Sequence, residues 1–461
     1  MKYNKTYIFG ITLVATLGGL LFGYDTAVIS GAEKSIEAYL IRPLGLNSLI
    51  HGATVSSALI GCIIGGVISG VFSNRFGRRK TLLIAAVLFF VSALGSGFPE
   101  FIFFSKGHPS IGLLLTFNFY RIIGGVGVGL ASAVSPMYIS EIAPADIRGR
   151  LVSFNQFAII FGMLVVYFVN WGIAFGQSID WINDVGWRYM FASEAIPAAL
   201  FGMLLFLVPE TPRYLVLSNR DEKARSVLSR INADKLRAEA IFSEIKQSIG
   251  RTTERSRIFS YGKIVILIGI LLSVFQQFVG INVALYYAPR IFESMGAAKD
   301  ASMLQTIIMG FVNVVFTVVA ILTVDKWGRK PLLITGSIGM AIGMFAISWL
   351  SYNEIIGIST LVFIIIYTAS FMMSWGPICW VLISEIFPNK IRGQAVAVAV
   401  GAQWAANYLI SSTYPAMMEY SGALTYGFYG LMAVLSALFV WKMVPETKGK
   451  SLEEMESLWK K

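Results

Sequence analysis

Three ionisable side chains lie within long apolar stretches of this 461-residue chain: Asp25, Arg121 and Glu194. Placing a charged group in hydrocarbon costs at least ~2.5–3.5 kcal/mol, so such residues are functional candidates by default. An ionised Asp25 would attract Arg121 and a protonated Asp25 would release it, which describes a proton-controlled latch between two conformations. The alternative is a static buried pair that only orients helices. Glu194 is a weaker candidate, which either adjusts proton binding by this pair or simply contacts a polar neighbour.

A second set of side chains combines carboxamides with aromatic rings inside other apolar stretches. Carboxamides donate and accept hydrogen bonds at once, while aromatic rings cover C–H faces, so together they suit a ligand that carries both hydroxyl groups and apolar faces. Tyr286 follows Asn282 by four residues and therefore shares a helix face with it. For any single residue, a polar bridge between helices or simple packing is the alternative. The set comprises Gln156, Gln276, Gln277, Asn282, Tyr286, Asn313, Trp380, Gln403 and Trp404. The sequence shows no anion-binding cluster beside it, so we expect a neutral ligand.

Glycine and proline predict breaks in two of the helices that would carry this set. Gly280 interrupts the stretch that holds Gln276 and Asn282, and discontinuous helices commonly line transporter sites. Gly376-Pro377 precedes Trp380, and a proline there frees a backbone carbonyl and permits bending. The second break is either an outer gate that moves over the ligand or a fixed kink.

The composition of the chain places these residues in a membrane protein. Only 14% of the residues are charged and 56% are hydrophobic, whereas soluble domains carry about 25% charged residues. This excludes a soluble enzyme, while two cysteines exclude a disulfide framework and two histidines leave no multi-histidine metal site. Apolar stretches of bilayer length predict an all-α protein with twelve transmembrane helices. The predicted spans are 6–31, 49–73, 80–98, 111–138, 151–175, 187–208, 262–288, 303–324, 331–350, 355–384, 394–417 and 424–444.

The basic residues indicate how these spans are oriented. Most of the 37 Lys and Arg side chains fall in alternate loops, which should be cytoplasmic. The net charge of +11 is therefore a topology signal, and nucleic-acid binding is not expected. The longest loop alternates charged with apolar residues, as short amphipathic helices do. We expect a six-helix bundle at 1–208, a cytoplasmic linker at 209–261, a second six-helix bundle at 262–444 and a cytoplasmic tail at 445–461.

Three motifs occur twice in the chain, in the same order, once in each half. The sequence SNRFGRR at 73–79 matches VDKWGRK at 324–330, EIAPADIRG at 141–149 matches EIFPNKIRG at 385–393, and VPET at 208–211 recurs at 444–447. Three matches in register indicate an internal duplication. Parallel six-span repeats are the construction of many secondary transporters, whose binding site lies between the two halves.

Charged residues of both signs accompany these motifs at the inner helix ends. Opposite charges there would lock the two halves together on the inner side when the cavity opens outward. Exposed ion pairs are individually worth only ~0–1 kcal/mol, so such a network would have to act collectively. The alternative is that these residues only hold the helix ends on the cytoplasmic side. That would explain the basic residues but not the glutamates that recur in both halves. The predicted inner gate comprises Arg75, Arg78, Glu141, Arg148, Glu210, Arg329, Glu385, Arg392 and Glu446.

Further motifs join these repeats. They are GLLFGYDTAVISG at 19–31, PETPR at 209–213, QQFVGIN at 276–282 and PETK at 445–448. With them, essentially the whole chain resembles the sugar porter family of the major facilitator superfamily. The resemblance implies the major facilitator fold and adds Phe22 to the sugar-contacting set. Asp25 matches a first-helix aspartate of the family's proton-coupled members, at a position where mammalian facilitators carry a neutral residue.

The resemblance also implies an activity: import of a neutral monosaccharide, D-xylose first, together with a proton, by alternating access. We expect no cofactor, and the other partner would be the lipid bilayer, with a monomer in the cell inner membrane. Two alternatives stay open, a proton-independent facilitator and a proton symporter for a hexose or arabinose. A sugar sensor would need an appended signalling region, and a channel or membrane enzyme would need motifs that the sequence does not show.

Overall fold

The computed structural model is helical over most of the chain that it describes. It describes residues 3–448 and 459, apart from 102, 145–146, 233, 251–257, 295, 356 and 389–390. Within these residues the only strand-like feature is an isolated pairing of Tyr3 with Asn232. There, the Asn4 amide donates to the Ile231 carbonyl at 2.9 Å. The all-α class predicted from the sequence is confirmed.

Helices α1 to α9 form the first half of the fold. Side chains cap the two longest of them, because Asn4 and Ser110 each accept a hydrogen bond from the amide three residues ahead. The helices are α1 (Lys5–Ile36), α2 (Ser48–Val55), α3 (Ser57–Phe76), α4 (Arg78–Gly97), α5 (Ile111–Ile142), α6 (Arg148–Ala174), α7 (Ile179–Trp181), α8 (Trp187–Ser193) and α9 (Ala195–Leu205). A π-helical turn, Glu37–Ile41, and a 3₁₀ turn, Arg42–Leu44, extend α1.

Three short helices connect the halves, and α13 to α21 form the second half. The connecting helices are α10 (Pro212–Leu217), α11 (Asp221–Ile231) and α12 (Lys235–Gly250). The second half contains α13 (Lys263–Phe278), α14 (Ile281–Tyr286), α15 (Ala288–Ser294), α16 (Lys299–Trp327), α17 (Arg329–Tyr352), α18 (Ile358–Met372), α19 (Trp375–Ile386), α20 (Arg392–Tyr420) and α21 (Gly422–Met443). Parts of the predicted linker and tail, 251–257, 449–458 and 460–461, lie outside the described residues, so the domain boundaries stay predictions.

Ten helical segments within the described residues are long and apolar enough to cross a membrane. Two of the twelve predicted spans fall short, for different physical reasons. The span predicted at 187–208 is divided at Glu194 into α8 and α9, each shorter than a bilayer requires. The span predicted at 394–417 lies in the 29-residue α20, where polar residues such as Gln403 and Asn407 lower the hydropathy. The chain is a multi-pass membrane protein, and the count of twelve spans stays a prediction.

Helix breaks lie next to the predicted ligand-binding residues. The predicted interruption at Gly280 is confirmed, since this residue separates α13 from α14 with a φ of 89°, which favours glycine. The second break is at Ser374, slightly before the predicted Gly376-Pro377. Pro377 therefore lies in the first turn of α19, where its missing N–H is tolerated. Whether this break moves as a gate stays a prediction.

The two halves meet along two helix seams. In one seam α2 and α3 pack against α20, and in the other α6 packs against α16. Glycine permits the close approach in both, because an added Cβ would overlap the Ser412 carbonyl at Gly52 and the Tyr167 ring at Gly310. Helix α1 contacts α14 between the seams. Residues of α1 therefore face the second half.

Candidate functional site

Asp25 and Arg121 form a fully buried ion pair. Nη1 of Arg121 donates to Oδ1 of Asp25 at 2.7 Å, and Nη2 donates to the Asp25 carbonyl at 3.2 Å. Neither side chain exposes more than 2% of its surface. The guanidinium also lies 5.2 Å from the centre of the Phe191 ring on α8, a cation–π contact. The pairing that the sequence suggested is therefore present, and it ties α1 to α5.

Glu194 faces this pair from the junction between α8 and α9. Its carboxyl interacts electrostatically with Asp25 and Arg121 and can share a hydrogen bond with Asp25 if one of the two carboxyls is protonated. With both ionised, neither Glu194 oxygen has a hydrogen-bond partner among the described residues. Oδ2 of Asp25 is likewise buried and unpaired in this part of the chain. Because buried polar atoms are normally paired, the cluster has unused capacity to bind a proton. Sequence analysis missed one support, the Tyr24 hydroxyl 2.8 Å from the Ser193 hydroxyl, which holds α1 beside Glu194.

Four of the predicted carboxamides form one hydrogen-bonded network in the second half. Nε2 of Gln277 donates to Oε1 of Gln276 at 3.1 Å, and Gln403 donates to the same oxygen. Nδ2 of Asn282 donates to Oε1 of Gln277 at 2.5 Å. Gln276 in turn donates to the Trp375 carbonyl at 2.9 Å. This carbonyl belongs to the first residue of α19, so the helix break helps to fix the network.

An aromatic contact beside this network joins the two halves. The ring centres of Phe22 on α1 and Trp404 on α20 are 5.8 Å apart. Three polar atoms of the predicted set, Nε1 of Trp404, Oε1 of Gln403 and Oδ1 of Asn313, are buried without a hydrogen-bond partner in the described part of the chain. These atoms offer one donor and two acceptors to a polyhydroxylated ligand.

Other predicted ligand contacts lie outside the network. The Tyr286 hydroxyl accepts a long bond from Nδ2 of Asn407 at 3.5 Å. Sequence analysis did not select Asn407, although its position four residues after Gln403 on α20 places the two on one face. Gln156 and Trp380 are half-buried, and among the described residues no hydrogen bond joins them to the network.

The repeated inner motifs form the same contact in both halves. Nη2 of Arg78 donates to Oε1 of Glu141 at 2.9 Å, and Nη2 of Arg329 donates to Oε1 of Glu385 at 3.0 Å. Each of these ion pairs joins helices of a single half. They therefore anchor helices within the halves, and a lock between the halves on the inner side stays a prediction.

Glu210 and Glu446 accept hydrogen bonds from the helices that follow the glycine turns. The Glu210 carboxylate binds the first two backbone amides of α4, and Glu446 binds the first two of α17. Helix N-termini favour negative charge. Burial nevertheless raises the pKa of Glu210. At Glu446 the backbone amide bonds outweigh burial and hold the pKa below its usual value.

The remaining predicted gate residues are placed differently. Arg75 and Arg148 are exposed, and Arg392 donates to the Phe387 carbonyl at 3.3 Å. Two threonines that sequence analysis did not select, Thr211 and Thr447, complete the repeated motifs. They donate at 2.6 Å to Glu141 and to Glu385, respectively. Both threonines belong to the VPET sequence that occurs once in each half, and this repetition could have identified them from the sequence.

The architecture and the site together define a membrane transporter of the sugar class. The family model described as "Sugar (and other) transporter" matches residues 11–459. The chain therefore belongs to the sugar transporter family, and the predicted resemblance to the sugar porters is confirmed.

Individual relatives resemble the chain over nearly its whole length. The D-xylose-proton symporter of Escherichia coli K12 is 56% identical over 478 residues, covering 99% of this chain and 97% of the relative. The glucose facilitated diffusion protein of Zymomonas mobilis is 38% identical, covering 98% and 97%. The inward-open structure of the xylose transporter from E. coli matches with a TM-score of 0.89 at 55% identity, covering 98% of this chain and 100% of that one.

Proposed function

We propose that the protein is a secondary transporter, not an enzyme, that imports a neutral monosaccharide together with a proton. One observation carries the proposal: Phe22 and Asp25 lie three residues apart on α1. Phe22 contacts Trp404 of the second half, and Asp25 binds Arg121 within the first half. Residues i and i+3 share a helix face, so a shift of α1 changes both contacts at once.

Protonation of Asp25 is the proposed coupling step. With Glu194 protonated, the ionised Asp25–Arg121 pair makes the cluster neutral, and the coupled proton is the further one that binds Asp25. A neutral Asp25 no longer holds Arg121 by an ion pair, so α1 and α5 are free to separate. A proton taken up from outside then favours the sugar-accepting state, and its release inside resets the carrier.

D-xylose is the proposed substrate. The 56% identical relative is named for D-xylose and the proton, and sugar hydroxyls match the unpaired atoms of Gln403, Trp404 and Asn313. The rings of Phe22 and Trp404 would cover the C–H face of the sugar. Further proposed contacts are Gln156, Gln276, Gln277, Asn282, Tyr286 and Trp380.

We place the protein in the cell inner membrane as a monomer with both termini cytoplasmic. The concentration of basic residues in alternate loops supports this orientation. The ion pairs of Arg78 and Arg329 then lie on the cytoplasmic side. We propose that these helix ends form the inner gate when the cavity opens outward.

Sugar-dependent proton uptake in proteoliposomes tests the coupling, with xylose and glucose offered in parallel. Wild-type protein should acidify the lumen when xylose is added. Asp25→Asn should reduce this acidification by about tenfold or more, because the neutral side chain cannot bind and release the coupled proton. The same variant should retain sugar exchange, which requires no net proton movement.

Asp180→Asn, at an exposed aspartate on α7, is the matched control and should acidify the lumen like wild type. Entry of labelled xylose without proton movement in wild type would instead indicate a facilitator and make Asp25 structural. Acidification by glucose but not by xylose would indicate a hexose symporter.

A further inference from the structure

An ion-pair cluster joins the two halves on the outer side. Arg290 on α15 donates through Nε to Oε1 of Glu33 at 2.8 Å and through Nη2 to Glu37. Lys34 pairs with Glu293 of α15. Glu33 and Lys34 belong to α1, and Glu37 begins the π-helical turn that extends it. These pairs therefore cross between the halves and hold the outer side closed.

His51 lies against this cluster from α2. Its Nε2 is 3.3 Å from Oε2 of Glu33 and 3.2 Å from the Glu33 carbonyl oxygen. Both oxygens are hydrogen-bond acceptors, so Nε2 carries a hydrogen whether or not the ring is charged. The side chains of His51 and Glu33 are only 2% and 1% exposed. Water therefore does not screen this contact while the outer side is closed.

Helix α2 follows the seam between the halves, so opening of the outer side would change the surroundings of His51. Ser48, at the start of α2, hydrogen-bonds to Glu419 of α20. The His51 ring meets the edge of the Tyr287 ring, with 6.4 Å between their centres. When the halves separate, Arg290 and α20 move away from His51 and water reaches it.

The charged and titratable groups around His51 come from every neighbouring element. These are Glu33, Lys34, Glu37 and Arg42 from α1 and its extension, Tyr287, Arg290 and Glu293 from α15 and the residue before it, and Tyr414 and Glu419 from α20. The carboxylates of Glu33 and Glu37 attract a proton to His51, whereas Arg290 repels it. Withdrawal of Arg290 leaves the Glu33 and Glu37 carboxylates without their cationic partner, and His51 is the titratable group in contact with Glu33.

We propose that His51, Glu33 and Arg290 form a proton-sensitive latch on the outer side of the transporter. Arg290 occupies the carboxylates of Glu33 and Glu37 while it holds the halves together, and a protonated His51 takes its place beside Glu33 when Arg290 withdraws. Because protonated His51 and Arg290 compete for the same carboxylates, acid outside favours the outward-open state by linkage. An ordinary imidazole titrates near pH 6.5, within the physiological range. The latch rests on the alternating access proposed above, but not on Asp25 as the coupling residue.

Distances between spin labels on the outer side read the latch directly, without sugar or a proton gradient. Cysteines replace the exposed Lys106 and Tyr420, one in each half, in a chain whose buried Cys62 and Cys379 are changed to alanine. Protein in lipid nanodiscs is compared at about pH 7.5 and about pH 5.5, on either side of the imidazole range. Acid should raise the ratio of outward-open to inward-open protein by about fivefold or more.

Three variants define the outcome. His51→Gln retains an N–H donor towards Glu33 but does not titrate, so it should remove most of the pH response. His108→Gln is the matched control, since His108 is the other histidine and is exposed; its response should equal that of wild type. Arg290→Gln removes the competing cation and should favour the outward-open state at both pH values, which tests the latch independently of His51→Gln.

Two results would overturn the latch: a full pH response in His51→Gln, or Arg290→Gln protein that stays inward-open at both pH values. The same distances measured in Asp25→Asn separate the two proposals. The response should persist there, and its loss would assign it to Asp25 instead. If proton-coupled uptake fails while the His51-dependent response is intact, the proposed function is overturned and the latch stands.

Discussion

Gln276 is the most connected of the proposed sugar-binding residues. Its Oε1 accepts hydrogen bonds from Gln277 and Gln403, and its Nε2 donates to the Trp375 carbonyl. A fourth partner is the Gly376 carbonyl, which accepts from Nε2 at 3.4 Å. Removal of the side chain would leave two buried donors and two backbone acceptors without this partner.

Gln276→Ala should raise the dissociation constant for xylose by about tenfold or more, because an unpaired buried polar group costs roughly 1–3 kcal/mol. Titration calorimetry on detergent-purified protein measures this change. Gln177→Ala, at an exposed glutamine between α6 and α7, is the control and should bind xylose like wild type. An unchanged dissociation constant in Gln276→Ala would remove the carboxamide network from the proposed site.

At the scale of residues, the sequence identifies side-chain types better than their partners. The buried charges are recognisable because a charge in an apolar stretch is costly. Ser193 and Asn407 cannot be recognised as site residues in this way, because small polar residues commonly form hydrogen-bonded bridges between membrane helices. Their contacts with Tyr24 and Tyr286 depend on how α8, α14 and α20 are arranged around α1. No local pattern specifies that arrangement.

The break between α13 and α14 is the element that positions the carboxamides. Gly280 adopts a positive φ, and an added Cβ there would lie 2.8 Å from the Tyr429 ring of α21. The Tyr367 hydroxyl of α18 donates to the Val279 carbonyl at 2.8 Å, so a neighbouring helix satisfies a carbonyl at the break. The break is thus supported by tertiary contacts on two sides.

Gly280→Ala should lower the stability of the protein by roughly 1–3 kcal/mol, through backbone strain and overlap with Tyr429, and should weaken xylose binding. Thermal unfolding in detergent, with and without xylose, measures both effects. Gly172→Ala on α6, where nothing lies within 4 Å of an added Cβ, should melt at or above the wild-type temperature. If both variants melt alike, the break does not require glycine.

At the scale of elements, helices are predictable from apolar length, and their breaks are predictable only where the residue type demands one. Gly280 meets that condition because of its backbone freedom. Ser56 and Glu194 follow the last residues of α2 and α8. Neither residue type demands a break, because both are compatible with a continuing helix. Packing against neighbouring helices decides these positions, as it does at Ser374, where the break precedes Pro377.

The two halves of the molecule repeat each other at the helix ends that carry the shared motifs and differ at the centre. The first half buries the charges of Asp25, Arg121 and Glu194, whereas the second half carries the linked carboxamides. This division, and the duplication behind it, follow from the sequence. The ion pairs that join the two halves do not, because they depend on contacts between distant residues such as Glu33 and Arg290.

Sugar binding between the halves should change the tryptophan fluorescence of the protein, and Trp404→Phe should remove most of that change. Trp404 contacts Phe22 across the halves, so its surroundings alter when a sugar enters. Trp349→Phe, at a tryptophan that is 61% exposed on α17, should keep the full response. A full response in Trp404→Phe would place the sugar away from this ring pair.

The inner helix-end contacts have a consequence for the continuity of the chain. Arg78 meets Glu141, and Arg329 meets Glu385, without help from the opposite half. Retention of each bundle therefore does not require a covalent connection between them. We therefore expect two polypeptides, divided within the connecting segment, to reassemble in the bilayer. The same independence is compatible with duplication of one half, which the motifs that occur in both halves indicate.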